Sequence, residues 1–247
     1  MIKCQICDSN KFTHYSKIND FTLLECENCG FIWLHPLPKI EDVQKIYVNA
    51  YQHTSTSYYA KTKKKMVRSR RRAKILKKYI NKSKDIRFLD VGSNGGFMVE
   101  AARLEGFDST GIEIDPYSID YANKYYNKNR FFEGTIETFY SQYPEEKFDI
   151  IYCSEVIEHL VDINKFIETM KNLLSSDGII FLTTPDIKHW RRPKELSSWD
   201  AYCPPDHCLY FDNKSIKILL NKFNLKIIKK FIAFKPGIKL LAKPYVT

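Results

Sequence analysis

The sequence lacks any stretch of about eighteen uncharged apolar residues, the length needed to cross the hydrocarbon of a bilayer. Its first ten residues, MIKCQICDSN, also lack the apolar centre of an export signal. Neither a membrane span nor export is therefore expected, and the expected location is the cytoplasm. In a reducing compartment the seven cysteines are expected as metal-binding thiolates or buried side chains, not as disulfides. Acidic residues are locally scarce. Residues 61–87 hold 14 Lys and Arg against one Asp, a net +13, so the total of +10 leaves −3 for the rest. The basicity is thus one stripe. It reads as the solvated face of a helix with Ile75, Leu76, Tyr79 and Ile80 turned to the core, or as a surface facing phosphates.

What is present in the cysteines is a spacing. Cys4-x2-Cys7 and Cys26-x2-Cys29 are separated by 18 residues, as in tetrathiolate zinc sites. Each pair presents two sulfurs to one ion, and Gly30 suits the tight turn after the last of them. A segment this short has little core, so zinc would supply its folding energy, and four thiolates would close the site to chemistry. The expected organisation is a zinc ribbon over residues 1–35, a helical linker with the basic helix over 36–80, and a main domain over 81–247. Prolines followed by a helical pattern in HPLPKIEDVQKIYVNAY mark the linker and a first helix.

From residue 86 apolar strands alternate with amphipathic helices. RFLDVG, STGIEID, RFFEGTI, FDIIYCS and IIFLTT read as strands. FMVEAARLEG, INKFIETMKNLLSSDG and NKSIKILLNKFN read as helices, with LKIIKKFIAF and IKLLAKP as closing strands. This predicts an α/β, Rossmann-like, doubly wound and mostly parallel seven-stranded sheet, with ligands at the carboxyl ends of its strands. The turn DVGSNGG lets backbone approach a ligand and offers N–H groups to it. Glu113 ends the next strand, 17 residues beyond Gly96, where an acid can accept hydrogen bonds from both hydroxyls of a ribose.

LDVGSNGG, GIEID, FDIIYCSEVIEHL and LLSSDGIIFLTTP, in this order, resemble the successive motifs of class I S-adenosylmethionine-dependent methyltransferases over residues 70–247. CQIC…CENCGFIWLHPLP is similar to the zinc ribbon preceding that domain in a subgroup of polysaccharide and secondary-metabolite pathways. The resemblance implies S-adenosylmethionine as cofactor, with Asp90 and Gly92 near its methionine part and Ser93, Asn94 and Gly96 of the same turn also among the cofactor-binding residues. It further implies Glu113 on the ribose, Thr135 or Ile136 near the adenine, and Ser154 beside the reactive end. Asn94 stands where glycine is more common, and Thr135 where an acid is frequent.

Methyl transfer to a hydroxyl needs alignment and management of one proton. Glu155, Glu158 and His159 follow the fourth strand. If EVIEHL starts a helix, their i, i+3, i+4 spacing puts them on one face. Two carboxylates and an imidazole suit Mg2+ or Mn2+, and His207 is the expected second histidine, from a 26-residue cap over residues 186–211. This set resembles the metal site of small-RNA 3′-end 2′-O-methyltransferases, and ExxEH also occurs in ubiquinone-pathway O-methyltransferases, where the metal binds two adjacent substrate hydroxyls. Without a metal, His207 or His159 is the expected general base. Cys153, Cys203 and Cys208 read as packing residues. Trp190 and Trp199 suit a sugar or base, and Arg191 and Arg192 a phosphate.

The expected function is O-methylation of a small, phosphorylated or nucleotide-linked precursor of a surface polysaccharide. The alternatives are RNA 2′-O-methylation, carbon methylation of a sugar, and a non-catalytic zinc-ribbon adaptor.

Overall fold

In the computed structural model of the chain, residues 2–18, 20–39, 62–81 and 85–245 are described. The helix expected within residues 35–51 falls almost wholly outside them. By compactness the chain divides into two units, one of Met1–Val43, Ser154–Ile167 and Leu182–Thr247, the other of Gln44–Cys153 and Glu168–Phe181.

The strands are β1 (Phe12–Ile18), β2 (Phe21–Cys26), β3 (Ile32–His35), β4 (Arg87–Val91), β5 (Asp108–Glu113), β6 (Arg130–Glu133), β7 (Phe148–Ser154), β8 (Leu174–Thr184), β9 (Leu209–Tyr210), β10 (Leu225–Lys230) and β11 (Ile238–Pro244). The helices among the described residues are α1 (Thr62–Lys77), α2 (Phe97–Leu104), α3 (Pro116–Tyr125), α4 (Ile136–Gln142), α5 (Ile163–Leu173) and α6 (Asn213–Lys222). Seven strands form one sheet in the order β10-β11-β8-β7-β4-β5-β6. β4 pairs in parallel with β5 and β7, and β5 with β6, whereas β10 and β11 are antiparallel. This is the Rossmann-like sheet that the alternating pattern predicts.

The central strands read as nearly continuous apolar runs because both faces are covered. Phe88 and Leu89 of β4 and Ile150 and Ile151 of β7 are fully buried. Two short helices escape the apolar pattern and are set by their caps instead. Asp115 accepts from Ser118 N–H at 2.9 Å ahead of Pro116, and Thr135 exchanges bonds with Thr138 in a capping box.

In the basic helix α1, Ser69, Ala73 and Leu76 form the buried stripe. Leu76 is in the core as expected, but Ile75 is 41% exposed and Tyr79 36% exposed. The correction has a simple cause: Ile75 lies about 100° around the helix from Leu76, and Tyr79 lies past the end of α1 at Lys77.

A second sheet, ordered β1-β2-β3-β9, builds the first unit around the four N-terminal cysteines. Its antiparallel register sets Leu23 opposite Leu34 and Leu24 opposite Trp33. Its fourth strand comes from the segment expected as a cap: Leu209 and Tyr210 pair with Trp33 and Ile32. Within the same segment, the Tyr202 hydroxyl bonds to Ser16 of β1.

Candidate functional site

In the second unit, β4 turns into α2 through Gly92, Ser93, Asn94, Gly95 and Gly96. Gly92, Asn94 and Gly96 have φ of +73°, +47° and +76°, a left-handed path. A Cβ on Gly96 would lie 2.7 Å from Phe131 Cζ and 3.1 Å from Ala122 Cβ, so only glycine fits. Glu113, buried at the end of β5, ties this turn to its own. Its Oε2 accepts from Asn94 N–H at 2.7 Å, and its Oε1 from the N–H groups of Ile114 and Asp115 at 2.8 and 3.0 Å. Burial raises the pKa of Glu113 while those three donors oppose the rise. Oε1 is thereby filled by two donors, while Oε2, with one, retains a lone pair for a further donor. Ser93 Oγ and Asp115 Oδ1 are buried with no hydrogen-bond partner among the described residues. Polar groups so placed suit a polar ligand, and S-adenosylmethionine carries hydroxyls and charged groups to meet them. Thr135 is occupied as the cap of α4, and Ile136, the helix's first residue, is buried.

Asp90 is buried at the end of β4, and its pKa is raised well above the ordinary carboxylate value by burial and then by the Glu113 charge, against Arg72. A carboxyl with a raised folded-state pKa binds its proton more tightly folded than unfolded, so stability falls as pH rises from about 4 through that folded pKa. Asp90→Asn is therefore expected to melt higher than the parent chain, with the gain larger at pH 8 than at pH 5. Thermal unfolding of the cofactor-free protein across that range checks this. An equal shift at both pH values would show that Asp90 is not held protonated.

In the first unit, EVIEHL does not start a helix. Ser154 closes β7, Glu155 takes a left-handed φ of +58°, and Ile157–His159 form a single 3-10 turn. The expected shared helical face is thereby corrected. Glu155 N–H donates to Thr183 O at 2.9 Å, and Thr183 Oγ1 donates to Glu155 Oε1 at 2.6 Å. Having spent its proton there, the Thr183 hydroxyl accepts from Ser154 Oγ at 2.7 Å.

Glu158, by contrast, turns inward and is 1% exposed. Its Oε2 accepts from Thr184 Oγ1 at 2.9 Å, while Oε1 is buried with no hydrogen-bond partner among the described residues. One ligating atom each of Glu158, His159 and His207 lies within 4.8 Å of the other two. The structure thus joins three of the four residues expected around a divalent ion and sends Glu155 to Thr183.

The two imidazoles meet edge to face, with centroids 4.5 Å apart. His159 Nδ1 lies 2.9 Å from Asp206 O, and His207 Nδ1 lies 2.8 Å from Ala201 O. A carbonyl only accepts, so both Nδ1 atoms carry protons and the lone pair of each neutral ring sits on Nε2. Burial, then the Glu155 charge, pushes Glu158 up to about 7 against His159 and Thr184. Burial also opposes the charged form of His159, but the Asp206 hydrogen bond and the Glu158 charge outweigh it and raise that group. His207 is depressed to about 4 by burial and the neighbouring His159. Thr183, Thr184, Ala201 and Asp206 complete the cluster. The sequence signal that could have found the threonines is their position at the end of a strand, in FLTTP.

The four N-terminal cysteines also converge, with one sulfur each within 4.8 Å of the others. Cys4 Sγ is 3.6 Å from Cys29 Sγ, and Cys7 Sγ is 3.5 Å from Cys26 Sγ. A tetrahedron with Zn–S bonds of ~2.3 Å has edges of about 3.8 Å, so the spacing fits a zinc ion. The Cys29 thiol, donating to Cys4, holds Cys4 near 5, and Cys29 in turn keeps its proton; N–H groups of Ile6 and Cys7 also point at Cys4. Cys153 and Cys208 are fully buried, consistent with packing, while Cys203 groups with Asp206 and His207. In the segment 186–211, Trp190 is exposed with Arg191 5.3 Å over its ring, and Arg192 bonds to Pro193 O.

A mostly parallel sheet with a glycine turn after β4 tied to an acid at the end of β5 is an arrangement by which α/β sheets hold nucleoside cofactors. Residues 58–230 match the methyltransferase-domain family, and the chain belongs to that family. It is similar to a ubiquinone biosynthesis O-methyltransferase of Actinobacillus pleuropneumoniae serotype 7, 36% identical over 103 residues, which cover 39% of this chain and 44% of the relative. A protein of the same description from Rickettsia bellii is 28% identical over 113 residues, covering 44% and 46%. The chain thus spans less than half the length of these two curated relatives. Among solved structures, magnesium protoporphyrin IX methyltransferase from Synechocystis PCC 6803 with bound SAH aligns at a TM-score of 0.61 and 13% identity, covering 83% of this chain and 100% of that one. An S-adenosylmethionine-dependent methyltransferase from Clostridium acetobutylicum aligns at 0.56 and 13%, covering 81% and 98%. At these identities the two structures speak for the fold alone.

Proposed function

We propose that the protein transfers the methyl group of S-adenosylmethionine to an oxygen of a small acceptor, with Glu158, His159 and His207 holding a divalent cation beside the reacting groups. The observation that carries this reading is the convergence of Glu158, whose buried Oε1 has no hydrogen-bond partner among the described residues, with two imidazoles whose Nδ1 protons are pinned by carbonyls. Two histidines and one carboxylate form a familiar ligand set, and pinning one ring nitrogen is how proteins aim the other at a metal. A divalent ion such as Mg2+ or Mn2+ held by these residues would supply Lewis acidity, the chemistry that eases loss of an acceptor hydroxyl's proton. The chain's own contribution is to fix both imidazole tautomers, to orient Glu158 through Thr184, and to exclude water by burial. Glu113 and the glycine turn would hold the cofactor, and Cys4, Cys7, Cys26 and Cys29 a structural zinc.

Support for placing the chemistry at EVIEHL comes from chain order: the stretch directly follows β7, and sheets of this kind bind ligands at the carboxyl ends of their strands. For the acceptor, exposed Trp190 and Arg191 favour a phosphorylated or nucleotide-linked sugar. A second reading, an intermediate of ubiquinone biosynthesis, is favoured by the activity for which the curated relatives are named.

Calorimetry with S-adenosylmethionine is the first test. Binding is expected, and Glu113→Ala should weaken it at least about tenfold by removing the ribose acceptor and the tie between two turns. No binding by the parent chain would overturn the reading. A methyl-transfer screen over nucleotide sugars and hydroxylated quinone precursors, with and without Mn2+, then separates the two acceptor classes.

A further inference from the structure

We infer that the β10–β11 hairpin docks on an anionic lipid surface, with Ile232 and Phe234 entering the interface and the hairpin's lysines meeting the headgroups. The hairpin closes where Phe231 N–H donates to Lys239 O at 2.8 Å, and the loop beyond carries Ile232 and Phe234, 84% and 77% exposed. Large apolar side chains this bare cost solvation and give nothing to the fold. From Leu225 to Tyr245 there are six lysines and no Asp or Glu. An apolar tip behind which cations are set back along the strands is the pairing of signals that holds a protein at a charged interface.

The lysines alone have another explanation. β10 is an edge strand of its sheet, and lysines on an edge discourage pairing with a second chain. That accounts for Lys226, Lys229 and Lys230, but not for Lys239 and Lys243, which lie on the interior strand β11, nor for bare apolar residues beyond the strand ends. A nucleic acid would meet the charge but has no use for exposed Ile232. Attachment would be peripheral, since no helix among the described residues is long and apolar enough to cross a membrane. The inference does not depend on the identity of the methyl acceptor.

The experiment is flotation of the zinc-loaded full chain with vesicles of phosphatidylcholine alone or mixed with phosphatidylglycerol. Binding is expected to the mixed vesicles and to weaken with salt. Ile232→Ser with Phe234→Ser should reduce it by about tenfold or more, as should Lys229→Glu with Lys235→Glu, both without lowering the melting temperature. No flotation with mixed vesicles at low salt overturns the proposal. So does flotation that the tip variant leaves intact, which would assign it to the basic helix α1. Salt-sensitive binding to an RNA oligonucleotide in place of vesicles overturns it as well.

Discussion

Glu158→Gln and His207→Ala are each expected to lower methyl transfer by about 10²–10⁴-fold while leaving S-adenosylmethionine affinity unchanged. The size follows from what each change removes. Glutamine offers a neutral oxygen where the buried Oε1 presents charge, and alanine deletes one of the two imidazoles in the trio. The cofactor should be indifferent, because Glu113 and the glycine turn form their hydrogen bonds without any of these three residues. Glu158 also accepts from Thr184, so melting curves must accompany the kinetics, and glutamine is chosen because its oxygen can keep that bond. Chelation too weak to strip a tetrathiolate zinc separates the two chemistries available. Turnover lost with chelator and restored by Mn2+ assigns the trio to a cation. Turnover indifferent to chelator, yet lost in His207→Ala, assigns His207 to proton transfer and removes the cation from the reading. Full activity in both variants would remove the cluster from the reaction altogether.

What the sequence made legible was whatever depends on period or on short spacing. The strands from RFLDVG to IIFLTT stand out because central parallel strands are apolar on both faces, and paired CxxC knuckles announce four convergent sulfurs. The glycine turn and Glu113 were legible because a left-handed path and an anchoring acid have narrow residue requirements. The helical spacing of EVIEHL misled, since i, i+3, i+4 has meaning only if the backbone is helical. Here Thr183 captures Glu155 by both backbone and side chain at φ +58°, and a 3-10 turn aims Glu158 and His159 instead. The convergence on His207 survived the loss of that geometry because it is made by tertiary contacts. Those contacts were the illegible part: nothing local says that Ala201 O and Asp206 O fix two tautomers, or that Leu209 and Tyr210 complete a sheet begun at residue 12.

The largest effect is expected from removing the zinc proposed at Cys4, Cys7, Cys26 and Cys29. Structural zinc contributes roughly 10–16 kcal/mol to small domains at neutral pH, as much as the whole stability of a typical fold at about 5–15 kcal/mol. Cys26→Ser, or a strong chelator, should therefore melt β1–β3 and not merely loosen them, because Cys26 closes β2 and its carbonyl and N–H hold Gly30 and Phe31 at 2.8 Å each. The loss should also travel. Gln5 sits inside the first knuckle, and its side chain donates to Val161 O at 2.9 Å and accepts from Ile163 N–H at 3.1 Å, while its carbonyl accepts from Asn164 Nδ2 at 2.9 Å. Those bonds clamp the segment that directly follows Glu158 and His159. Hydrogen exchange should accordingly show protection lost across residues 4–35 and also at Ile163 N–H, with methyl transfer falling in step. Gln5→Ala isolates the link: it should retain zinc and the exchange protection of β2 and β3, yet deprotect Ile163 and slow turnover. Unchanged protection at Ile163 in Gln5→Ala would make the thiolate module a separate fold element with no hold on the Glu158–His159 turn. Unchanged protection of β2 after zinc removal would show that the sheet stands on its own apolar contacts.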